Sequence, residues 1–512
     1  MDTRENFGNT PTGKPARDAT VTTQVTGRFA VPAGAVAAVL NVTVTEATGP
    51  GYLTVFPAGS TRPLASNVNT EFAGQTIPNL VTVPIGAGGK VSFYTQSGTH
   101  LIADVFGYYE PAGTATAGRF ISLTPARMVD TRDFGGTLLP GETRRVALTG
   151  IPSSLDATSA VLNITVAEAR GGGFWTVHAA GTARPFTSNL NVSAPGQTIA
   201  NQVIVLIGAG GIDVFSQTGG QVIVDLIGVF TGASASPSAD GLFVPVTPTR
   251  VLDTRESAAL NPLGGRIRVL PGWVVETPII GRSGLPSGVS AVAMNTTMVD
   301  ASRAGFVTMY GAGTDRPFTS TVNAEHQGHV IANHAIAPVT VRGTAAYSSG
   351  GTHLVEDITG YYTGVPLAST LPFVKNPQPA ASFPLRLQVP AIGVTTAVNE
   401  GFDDAALANA AGHWIGTALP GQPGNMAIFG HRVSHTHPFR DLDLLKTGDR
   451  VEVTTGGFTF VYRVTQTLIT SPTDAEAFGG WTPSPTITLV ACHPPGSVEL
   501  RIVVRAELAD IY

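Results

Sequence analysis

Apolar and polar residues alternate with a period of two along most of this chain. In the stretch 40–45, apolar side chains occupy the even positions and Asn or Thr occupies the odd ones. Such alternation is typical of a β-strand with two different faces. Similar short stretches follow one another, separated by turns that the 60 Gly and 37 Pro residues supply. The pattern therefore predicts many short strands in antiparallel sheets and little helix.

The alternating pattern recurs three times within the first 364 residues. The tripeptide Asp-Thr-Arg occurs once in each copy, at Asp2–Arg4, Asp130–Arg132 and Asp253–Arg255, with spacings of 128 and 123 residues. Each copy closes with a strand that carries one aspartate, at Asp104, Asp225 and Asp357. We predict three tandem β-sandwich repeats at 1–112, 118–232 and 241–364, arranged as beads on a string with a core in each.

Two features of the repeats allow more than one interpretation. The three Asp-Thr-Arg copies are either ligand sites repeated for avidity or local salt bridges that close a turn, and we favour the salt bridge because no aromatic or acidic cluster accompanies them. The Asn-x-Thr triplets at Asn41, Asn163 and Asn295 match the glycosylation pattern, but we interpret them as polar residues on the sheet surface.

Small and polar residues indicate two linkers, at 233–240 and 365–383. The first repeat lacks the strand that precedes Asp-Thr-Arg in the other two copies. We therefore expect the natural N terminus to lie upstream of Met1, together with any export signal or membrane anchor. The chain itself has no apolar run near the roughly 18 residues that span a membrane.

Composition narrows the classes of function. Charged residues make up 13% of the chain, the net charge is −5, and basic runs are absent, so nucleic acid is not an expected partner. One cysteine rules out an internal disulfide and every multi-cysteine metal site. His435 and His437 with two nearby aspartates form only a weak metal pattern, and we predict neither a metal nor a cofactor.

The repeat pattern ends before residue 384, and a different domain occupies 384–512. Its alternating segments, which begin with Leu385–Val389 and end with Leu500–Val504, predict a mainly antiparallel sheet closed into a small barrel. One short helix is expected over 403–410, capped by Asp403 or Asp404. The predicted fold class is therefore all-β, with three tandem antiparallel sandwich repeats followed by a closed barrel.

The candidate chemistry of this domain centres on its cysteine. Thr488–Cys492 is an apolar strand, and after a Pro/Gly turn a second strand carries Arg501, so a thiol and a guanidinium should lie side by side. His431 follows another apolar strand. A cysteine of ordinary pKa, about 8.5, is only slightly ionised at neutral pH, so a nearby histidine can act as its charge partner and proton carrier. A fixed guanidinium can stabilise an oxyanion. His493 should face away from Cys492 because neighbouring strand residues alternate.

These motifs resemble those of the sortases, the cysteine transpeptidases of the Gram-positive cell surface. The landmarks are Ile392–Val394, Trp414, Gly430–Arg432, Leu445–Asp449 and Thr488–Cys492 with Arg501 nine residues later. The Gly-His-Arg form and the short interval from cysteine to arginine are most similar to class E. The repeats resemble β-rich repeats found on surface proteins of the same bacteria.

The resemblance implies a nucleophile at Cys492, a general acid/base at His431 and an oxyanion stabiliser at Arg501. It places the substrate groove along Gly430, Leu489, Val490 and Ala491. The family usually has Thr immediately before the cysteine, so Ala491 leaves the substrate preference open.

The implied reaction is cleavage of a Leu-Pro/Ala-x-Thr-Gly sorting signal between Thr and Gly, through a thioacyl intermediate. The implied partners are surface proteins that bear this signal and an amine of a peptidoglycan precursor, and the implied location is the extracellular cell surface. Two alternatives stay open. One is an inactive domain whose repeats bind or build surface structures, and the other is a thiol hydrolase that uses water as the acceptor.

Overall fold

The computed structural model describes residues 1–5, 12–28, 30–256, 260–263, 267–282, 284–374, 376, 383–422, 424–480, 482 and 484–511. These residues form 31 strands, two one-turn α-helices and four short 3₁₀ segments, so the all-β prediction is confirmed. No helix among them is long and apolar enough to cross a membrane. The 3₁₀ segments are Ala87–Gly89, Ser153–Leu155, Pro390–Ile392 and Leu442–Leu444.

The first repeat consists of two antiparallel sheets, with strand orders β5-β2-β7 and β1-β6-β3-β4. Its alternating segments become β1 (Ala19–Gln24), β2 (Ala37–Thr45), β3 (Gly51–Pro57), β4 (Val68–Thr70), β5 (Ile77–Pro84), β6 (Lys90–Thr95) and β7 (His100–Tyr109).

The second repeat has the same arrangement with one strand more, which pairs with the outer edge of its closing strand. Its sheets have the orders β13-β10-β15-β8 and β12-β11-β14-β9. The strands are β8 (Phe120–Asp130), β9 (Thr143–Ala147), β10 (Ser159–Ala167), β11 (Gly173–Ala179), β12 (Leu190–Val192), β13 (Ile199–Leu206), β14 (Gly211–Ser216) and β15 (Gln221–Phe230).

The third repeat matches the second strand for strand. Its sheets have the orders β16-β23-β18-β21 and β17-β22-β19-β20. The strands are β16 (Phe243–Asp253), β17 (Val274–Thr277), β18 (Val289–Val299), β19 (Gly305–Gly311), β20 (Val322–Ala324), β21 (Ile331–Pro338), β22 (Thr344–Ser348) and β23 (His353–Thr363).

The polar face of the central strands is buried between repeats. Every residue of β2 is buried, although Asn or Thr occupies every second position from Asn41 to Thr45. The Asn41 amide donates to the Ser188 carbonyl at 2.7 Å and accepts from Asn201 at 3.0 Å, so both partners lie in the second repeat. The prediction that these asparagines lie on an exposed sheet surface is therefore wrong. Alternation of apolar and polar residues cannot distinguish a solvent-exposed sheet face from one that another repeat covers.

The same amide pair closes a ring around the three repeats. Asn333 of the third repeat donates to Asn163 of the second at 3.4 Å, and Asn79 of the first donates to Asn295 of the third at 3.0 Å. Each repeat thus contacts both others through equivalent residues, as in a cyclic trimer.

Aromatic residues from all three repeats also form one shared core. Tyr109, Phe230 and Tyr362, at the ends of the three closing strands, pack with Phe120 and Phe243. The hydroxyls of Tyr109 and Tyr362 lie 2.6 Å apart. The beads-on-a-string prediction is therefore wrong, since Met1–Asp253 and Pro271–Val374 form one compact repeat unit with a common centre.

Local ion pairs occupy the Asp-Thr-Arg motifs of the first two copies, as the sequence predicts. Arg4 pairs with Asp2 at 2.6 Å, and Arg132 pairs with Asp130 at 2.7 Å. The buried Thr131 hydroxyl accepts the backbone N–H of Val222 at 2.8 Å, which ties the turn to the closing strand. The motif therefore stabilises a turn in these two copies.

The two expected linkers are partly bound to the repeats. In the first, Ser238 forms a β-bridge with Ala115, and Arg119 donates to the Ser236 carbonyl at 2.7 Å. In the second, Leu367 exchanges backbone hydrogen bonds with residues next to β21 and β22, whereas residues 375 and 377–382 lie outside the described part of the chain. The boundaries of the five predicted domains stay predictions.

The second compact unit, termed here the barrel unit, contains Thr254–Leu270 and Lys375–Tyr512. Its eight strands close in the order β24-β25-β26-β27-β30-β31-β29-β28. Arg268 forms an ion pair with Asp510 at 3.0 Å within this unit. The elements are β24 (Leu385–Val389), β25 (Val394–Glu400), α1 (Asp404–Leu407), β26 (Ala411–His413), β27 (Gly424–Phe429), β28 (Arg450–Thr455), β29 (Phe458–Thr470), α2 (Ala475–Gly479), β30 (Pro485–His493) and β31 (Leu500–Ile511).

Candidate active site

Antiparallel pairing of β30 and β31 brings the cysteine and the arginine together. Cys492 is directly opposite Arg501 in this register, and His493 is opposite Leu500 next to the connecting turn. Residues opposite each other in an antiparallel pair have Cα atoms roughly 4.5–5.5 Å apart. The adjacency that the sequence predicts for the thiol and the guanidinium is thus confirmed at the level of strand register.

Parallel pairing of β27 and β30 brings the histidine to the same end of the barrel. Phe429 pairs with Val490, and the backbone N–H of Gly430 donates to the Val490 carbonyl at 3.1 Å. This register has an offset of 61 residues, and the same offset relates His431 to Cys492. If the pairing of β27 and β30 is extended by two residues, His431 lies beside Cys492.

The three candidate side chains line one open cavity of about 450 Å³. Its lining also includes three of the four expected groove residues, Gly430, Val490 and Ala491. Leu489 does not line it, because this side chain is fully buried within the barrel unit. The remaining lining residues are Phe402, Leu407, Trp414, Phe429, Pro472, Thr473, Ala475 and Phe478.

Aromatic side chains build one wall of this cavity. The Phe429 ring stacks on Phe402 at 4.7 Å and meets Trp414 and Phe478 edge to face at 6.0 and 5.8 Å. Ala477 and Val503 pack against this wall. Motif spacing did not single out these residues as a binding surface, because they come from four separate segments. The wall can bind an apolar side chain of a peptide.

Gly430 is required by close packing at the end of β27. A Cβ atom at this position would lie 2.5 Å from the ring of Phe439, which is fully buried. The backbone N–H of Phe439 in turn donates to the His431 carbonyl at 3.1 Å. Glycine therefore lets the loop that follows His431 fold back onto the histidine.

The His431 imidazole is poised to remain neutral. Partial burial, and then the neighbouring His435, hold the pKa of His431 below its ordinary value. The two rings stack with centroids 4.6 Å apart. The Nε2 atom is buried and has no hydrogen-bond partner among the described residues. A neutral imidazole in this position can accept a proton from a thiol.

Backbone carbonyls of its own turn hold the guanidinium of Arg501. Its Nη1 donates to Val498 at 2.9 Å and to Leu500 at 3.0 Å. In the described residues no acceptor is bound to its other N–H groups. A guanidinium has five donors in a rigid plane, so those groups can serve an oxygen in the cavity.

Arg432 is a buried residue whose role the sequence did not reveal. It is 2% exposed, and its guanidinium donates to Asp443, to the Arg440 carbonyl at 3.1 Å and to Nδ1 of His493 at 2.8 Å. His493 thus points away from the cavity, as strand alternation predicts. Arg432 fastens the 432–443 loop to the residue that follows the cysteine.

Residues of the weak metal pattern on the 432–443 loop contact other protein groups. Asp443 pairs with Arg432, the His435 ring lies on His431, and Nδ1 of His437 lies 3.1 Å from the His435 carbonyl. These contacts involve three of the four residues of the pattern, and the absence of a metal stays a prediction.

One other group of metal-type side chains occurs among the described residues, Glu71, His326 and His329 in the repeat unit. Nδ1 of His329 accepts the backbone N–H of Glu325 at 3.0 Å, so the proton of the neutral ring belongs on Nε2, which faces Glu71 at 3.3 Å. Gln75 of the first repeat accepts a backbone N–H in the same way, at 2.6 Å. His329 is therefore a turn-stabilising residue, and its tautomer does not suit a metal.

The region that contains these residues is similar in sequence to known proteins. The family model described as the sortase domain matches residues 387–509. Sortase E1 of Streptomyces coelicolor is 29% identical over 148 residues, which cover 26% of this chain and 42% of that protein. This chain thus spans less than half the length of that curated relative.

Two solved structures are also similar to part of this chain. The crystal structure of sortase E1 from Streptomyces coelicolor with a tripeptide in the active site is 27% identical, covers 25% of this chain and 88% of that chain, and gives a TM-score of 0.24. A sortase D5 transpeptidase from Clostridium perfringens is 34% identical, with 24% and 77% coverage and a TM-score of 0.23. On the match to the family model, residues 387–509 are a sortase domain, and the similarity to an E-type relative is consistent with a class E-like domain.

Proposed function

We propose that the barrel unit is a cysteine transpeptidase that joins peptides bearing a sorting signal to an amine. The observation that carries this proposal is the strand register that brings Cys492, Arg501 and His431 to one cavity with an aromatic wall. The match to the sortase family supports the same chemistry, since its members are cysteine transpeptidases.

In the first half of the reaction the thiol of Cys492 attacks the carbonyl carbon of the Thr residue in a Leu-Pro/Ala-x-Thr-Gly signal. His431 takes the thiol proton while the C–S bond forms, and the carbonyl oxygen gains the negative charge. The guanidinium of Arg501 stabilises that oxyanion. The C–N bond to Gly then breaks, and His431 gives its proton to the departing amine.

In the second half an amine attacks the thioester. Its nitrogen loses a proton to His431, the new amide C–N bond forms, and the C–S bond breaks. The departing sulfur recovers the proton from His431, so the enzyme returns to its starting state. Hydrolysis is the same step with water as the acceptor.

The cavity supports a peptide with apolar residues before the scissile bond. Trp414, Phe429 and Phe478 offer an apolar wall for the Leu and Pro/Ala side chains, while Val490 and Ala491 form the floor next to the nucleophile. Ala491 lacks the hydroxyl that the family usually places there. We propose that this exchange alters the choice of residue at the second position of the signal rather than the chemistry.

The proposed partners are surface proteins that carry the signal and an amine of a peptidoglycan precursor. Sortases act at the cell surface, and we propose that location for this domain. Leu489 has no proposed contact with the peptide, because its buried side chain can affect the groove only by supporting its neighbours.

A ligation assay tests this function. The full chain is incubated with a Leu-Pro-x-Thr-Gly or Leu-Ala-x-Thr-Gly peptide and triglycine, and the products are identified by mass. We expect a peptide joined to triglycine with the wild type, none with Cys492→Ala, and a rate lower by about 10²–10³ with Arg501→Ala. His437→Ala is the matched control, since this exposed histidine lies on the same loop as His431 and should keep activity.

Three other outcomes would reject the proposal in different ways. Hydrolysed peptide without ligation identifies a thiol hydrolase. Intact peptide identifies an inactive domain, and product formation that persists in Cys492→Ala places the chemistry elsewhere.

A further inference from the structure

A short turn in each repeat contacts a neighbouring repeat. These turns connect β4 to β5, β12 to β13 and β20 to β21, and they begin at Glu71, Ser193 and Glu325. The Glu71 carboxylate of the first repeat accepts the backbone N–H of Val330 in the third repeat at 3.2 Å. In the same way, Glu325 of the third repeat accepts the backbone N–H of Thr198 in the second. The same contact between a carboxylate and a backbone amide therefore occurs at two of the three junctions.

The two junctions differ in the side chains near the carboxylate. Glu71 faces two histidines of the third repeat, since Nε2 of His326 and Nε2 of His329 each lie 3.3 Å from the same carboxylate oxygen. The equivalent positions of the second repeat hold Ala194 and Gln197, neither of which titrates. The contact thus forms at one junction without histidine, and at the other junction the two imidazoles make it sensitive to protons.

The hydrogen bonds of His326 fix the position of its first proton. Its Nδ1 lies 3.0 Å from the carbonyl oxygen of Gln327, which can only accept, so this nitrogen carries a proton. In a neutral His326 the Nε2 atom is then an acceptor that faces a carboxylate oxygen. The contact with Glu71 becomes attractive only when His326 binds a second proton and carries a positive charge.

His329 completes the contact in its neutral form. Its Nδ1 accepts the backbone N–H of Glu325 at 3.0 Å, so its Nε2 carries the proton that Glu71 can accept. The rings of His326 and His329 stack with centroids 4.6 Å apart, and a positive charge on one ring disfavours a charge on the other. The two histidines therefore hold one positive charge between them.

Exposure and neighbouring groups decide which ring holds this charge. The His326 side chain is 58% exposed, whereas that of His329 is 5% exposed. The hydrogen bond to the Gln327 carbonyl and the nearby Glu71 carboxylate raise the pKa of His326, whereas burial lowers the pKa of His329. The other charged side chain that faces the rings is Glu325, which is also acidic. The charge therefore resides on His326.

We propose that the contact between the first and third repeats is a pH switch, in which charged His326 holds Glu71 against the backbone N–H of Val330. When His326 loses its proton, its Nε2 becomes an acceptor beside the carboxylate and repels it. The hydrogen bond to Val330 then weakens, and the start of β21 loosens from the first repeat. The contact between Glu325 and Thr198 has alanine in the place of His326 and keeps its strength.

The contact should weaken as the pH rises. Because the pKa of His326 is higher in the folded chain than the ordinary value of about 6.5, its contribution to stability is complete below about pH 6.5. That contribution is lost as the pH rises through the pKa of the folded state. The junction is therefore tightest in mildly acidic solution and loosens in alkaline solution.

Hydrogen exchange of two backbone amides in the full chain tests the switch. Val330 is held by Glu71 and Thr198 by Glu325, so the ratio of their protection factors isolates the junction that contains the histidines. A change in the stability of the whole repeat unit affects both amides alike and cancels in this ratio. From about pH 5.5 to about pH 8.5 we expect the protection of Val330 relative to Thr198 to fall about two- to fivefold, as for a partly exposed ion pair.

Two variants copy the second repeat and identify the responsible ring. His326→Ala introduces the residue found at Ala194 and should make the ratio independent of pH. His329→Gln introduces the residue found at Gln197 and is the matched control, in which the pH response should persist. NMR titration of the imidazole C–H resonances should give His326 a pKa above 6.5 in the wild type and a lower value in Glu71→Gln.

Three results would each overturn the switch. They are a ratio that stays constant with pH in the wild type, an unchanged fall of the ratio in His326→Ala, and a pKa of His326 at or below about 6.5 in the wild type. Should His326→Ala fail to fold, the ratio and the titration of the wild-type chain still decide.

Discussion

At the scale of single residues, the proposed chemistry of the barrel unit depends on a fixed guanidinium at Arg501 and on an imidazole at His431 that can accept and return a proton. Arg501 is held by two carbonyls of its own turn, and the buried Nε2 of His431 has no hydrogen-bond partner in the part of the chain that the structure describes. Sequence spacing was enough to nominate Cys492, His431 and Arg501, because the family motifs mark the ends of adjacent strands. It could not reveal Arg432, since nothing in the sequence pairs it with Asp443 and His493.

The titration of His431 provides a direct check of its environment. Because burial and the nearby His435 lower its pKa, His431 should stay neutral to a pH below the ordinary value of about 6.5. His435→Gln removes the second cause, so the pKa of His431 should rise towards that value. NMR titration of the imidazole C–H resonances measures both, and a pKa of His431 above 6.5 in the wild type would contradict the account.

Arg432 should position the cysteine strand without touching substrate. Arg432→Ala leaves the partly buried Nδ1 of His493 and the Arg440 carbonyl without this donor, so we expect a loss of about 2 kcal/mol in the free energy of unfolding. We also expect a fall in kcat that exceeds any change in KM. Urea unfolding and peptide kinetics measure these effects.

Arg440→Ala is the control for Arg432, since only the Arg440 backbone takes part in the contact. Arg432→Lys should restore little, because an ammonium group cannot span three acceptors as a planar guanidinium does. Equal kinetics of Arg432→Ala and the wild type would show that Arg432 serves stability alone.

At the scale of strands, alternation predicts where a strand runs but leaves open what covers its faces. The sequence predicted the strands around Leu385–Val389 and Leu500–Val504, and both exist. It predicted a helix over 403–410, and the structure has one turn, Asp404–Leu407, capped by Asp403. After three further residues, Ala411–His413 forms a strand that pairs with both β25 and β27.

Glu356 on β23 shows how burial of a sheet face changes the pKa of an ionisable group. It is fully buried, neither carboxyl oxygen has a hydrogen-bond partner among the described residues, and burial raises the pKa of its carboxyl to about 7. The second repeat has Val224 at the equivalent position. The folded state therefore favours the protonated carboxyl.

The stability of the repeat unit should consequently depend on pH through Glu356. The raised pKa contributes stability that is present below about pH 4.5 and is lost as the pH rises to about 7, by roughly 3 kcal/mol. Glu356→Val should remove this dependence and raise stability at pH 8, whereas Glu168→Gln, an exposed control, should not. Chemical unfolding from pH 5 to pH 8 measures it, and unchanged pH dependence in Glu356→Val would refute the assignment.

At the scale of the whole molecule, the repeats form one unit around a shared centre. The asparagine ring and the aromatic cluster both require all three copies. The sequence predicted three copies of one sandwich because their landmarks recur at fixed spacing. It could not predict that the three repeats associate. Their contacts join residues more than a hundred positions apart, and the alternation of residues within one strand carries no information about such contacts.

Cooperative unfolding follows from that shared centre. Repeats 1–3 should unfold in one calorimetric transition, with the barrel unit free to unfold in a separate one. Asn201→Ala leaves the Leu80 N–H without its acceptor and should lower the free energy of unfolding of the whole repeat unit by about 2 kcal/mol. Asn69→Ala is the control, because among the described residues the Asn69 side chain is hydrogen-bonded only to Ser66. Three separate transitions for the repeats would contradict a common core.

The most direct test of the central claim is the intact mass of the chain after incubation with a Leu-Pro-x-Thr-Gly peptide and its Leu-Ala-x-Thr-Gly counterpart, for the wild type and for Cys492→Ala. The account predicts an acyl adduct on the wild type alone, which an added amine discharges. The ratio of the two adducts then ranks the two signals. Absence of any adduct, while the thiol of Cys492 still reacts with an alkylating reagent, would contradict the proposal that this domain is a transpeptidase.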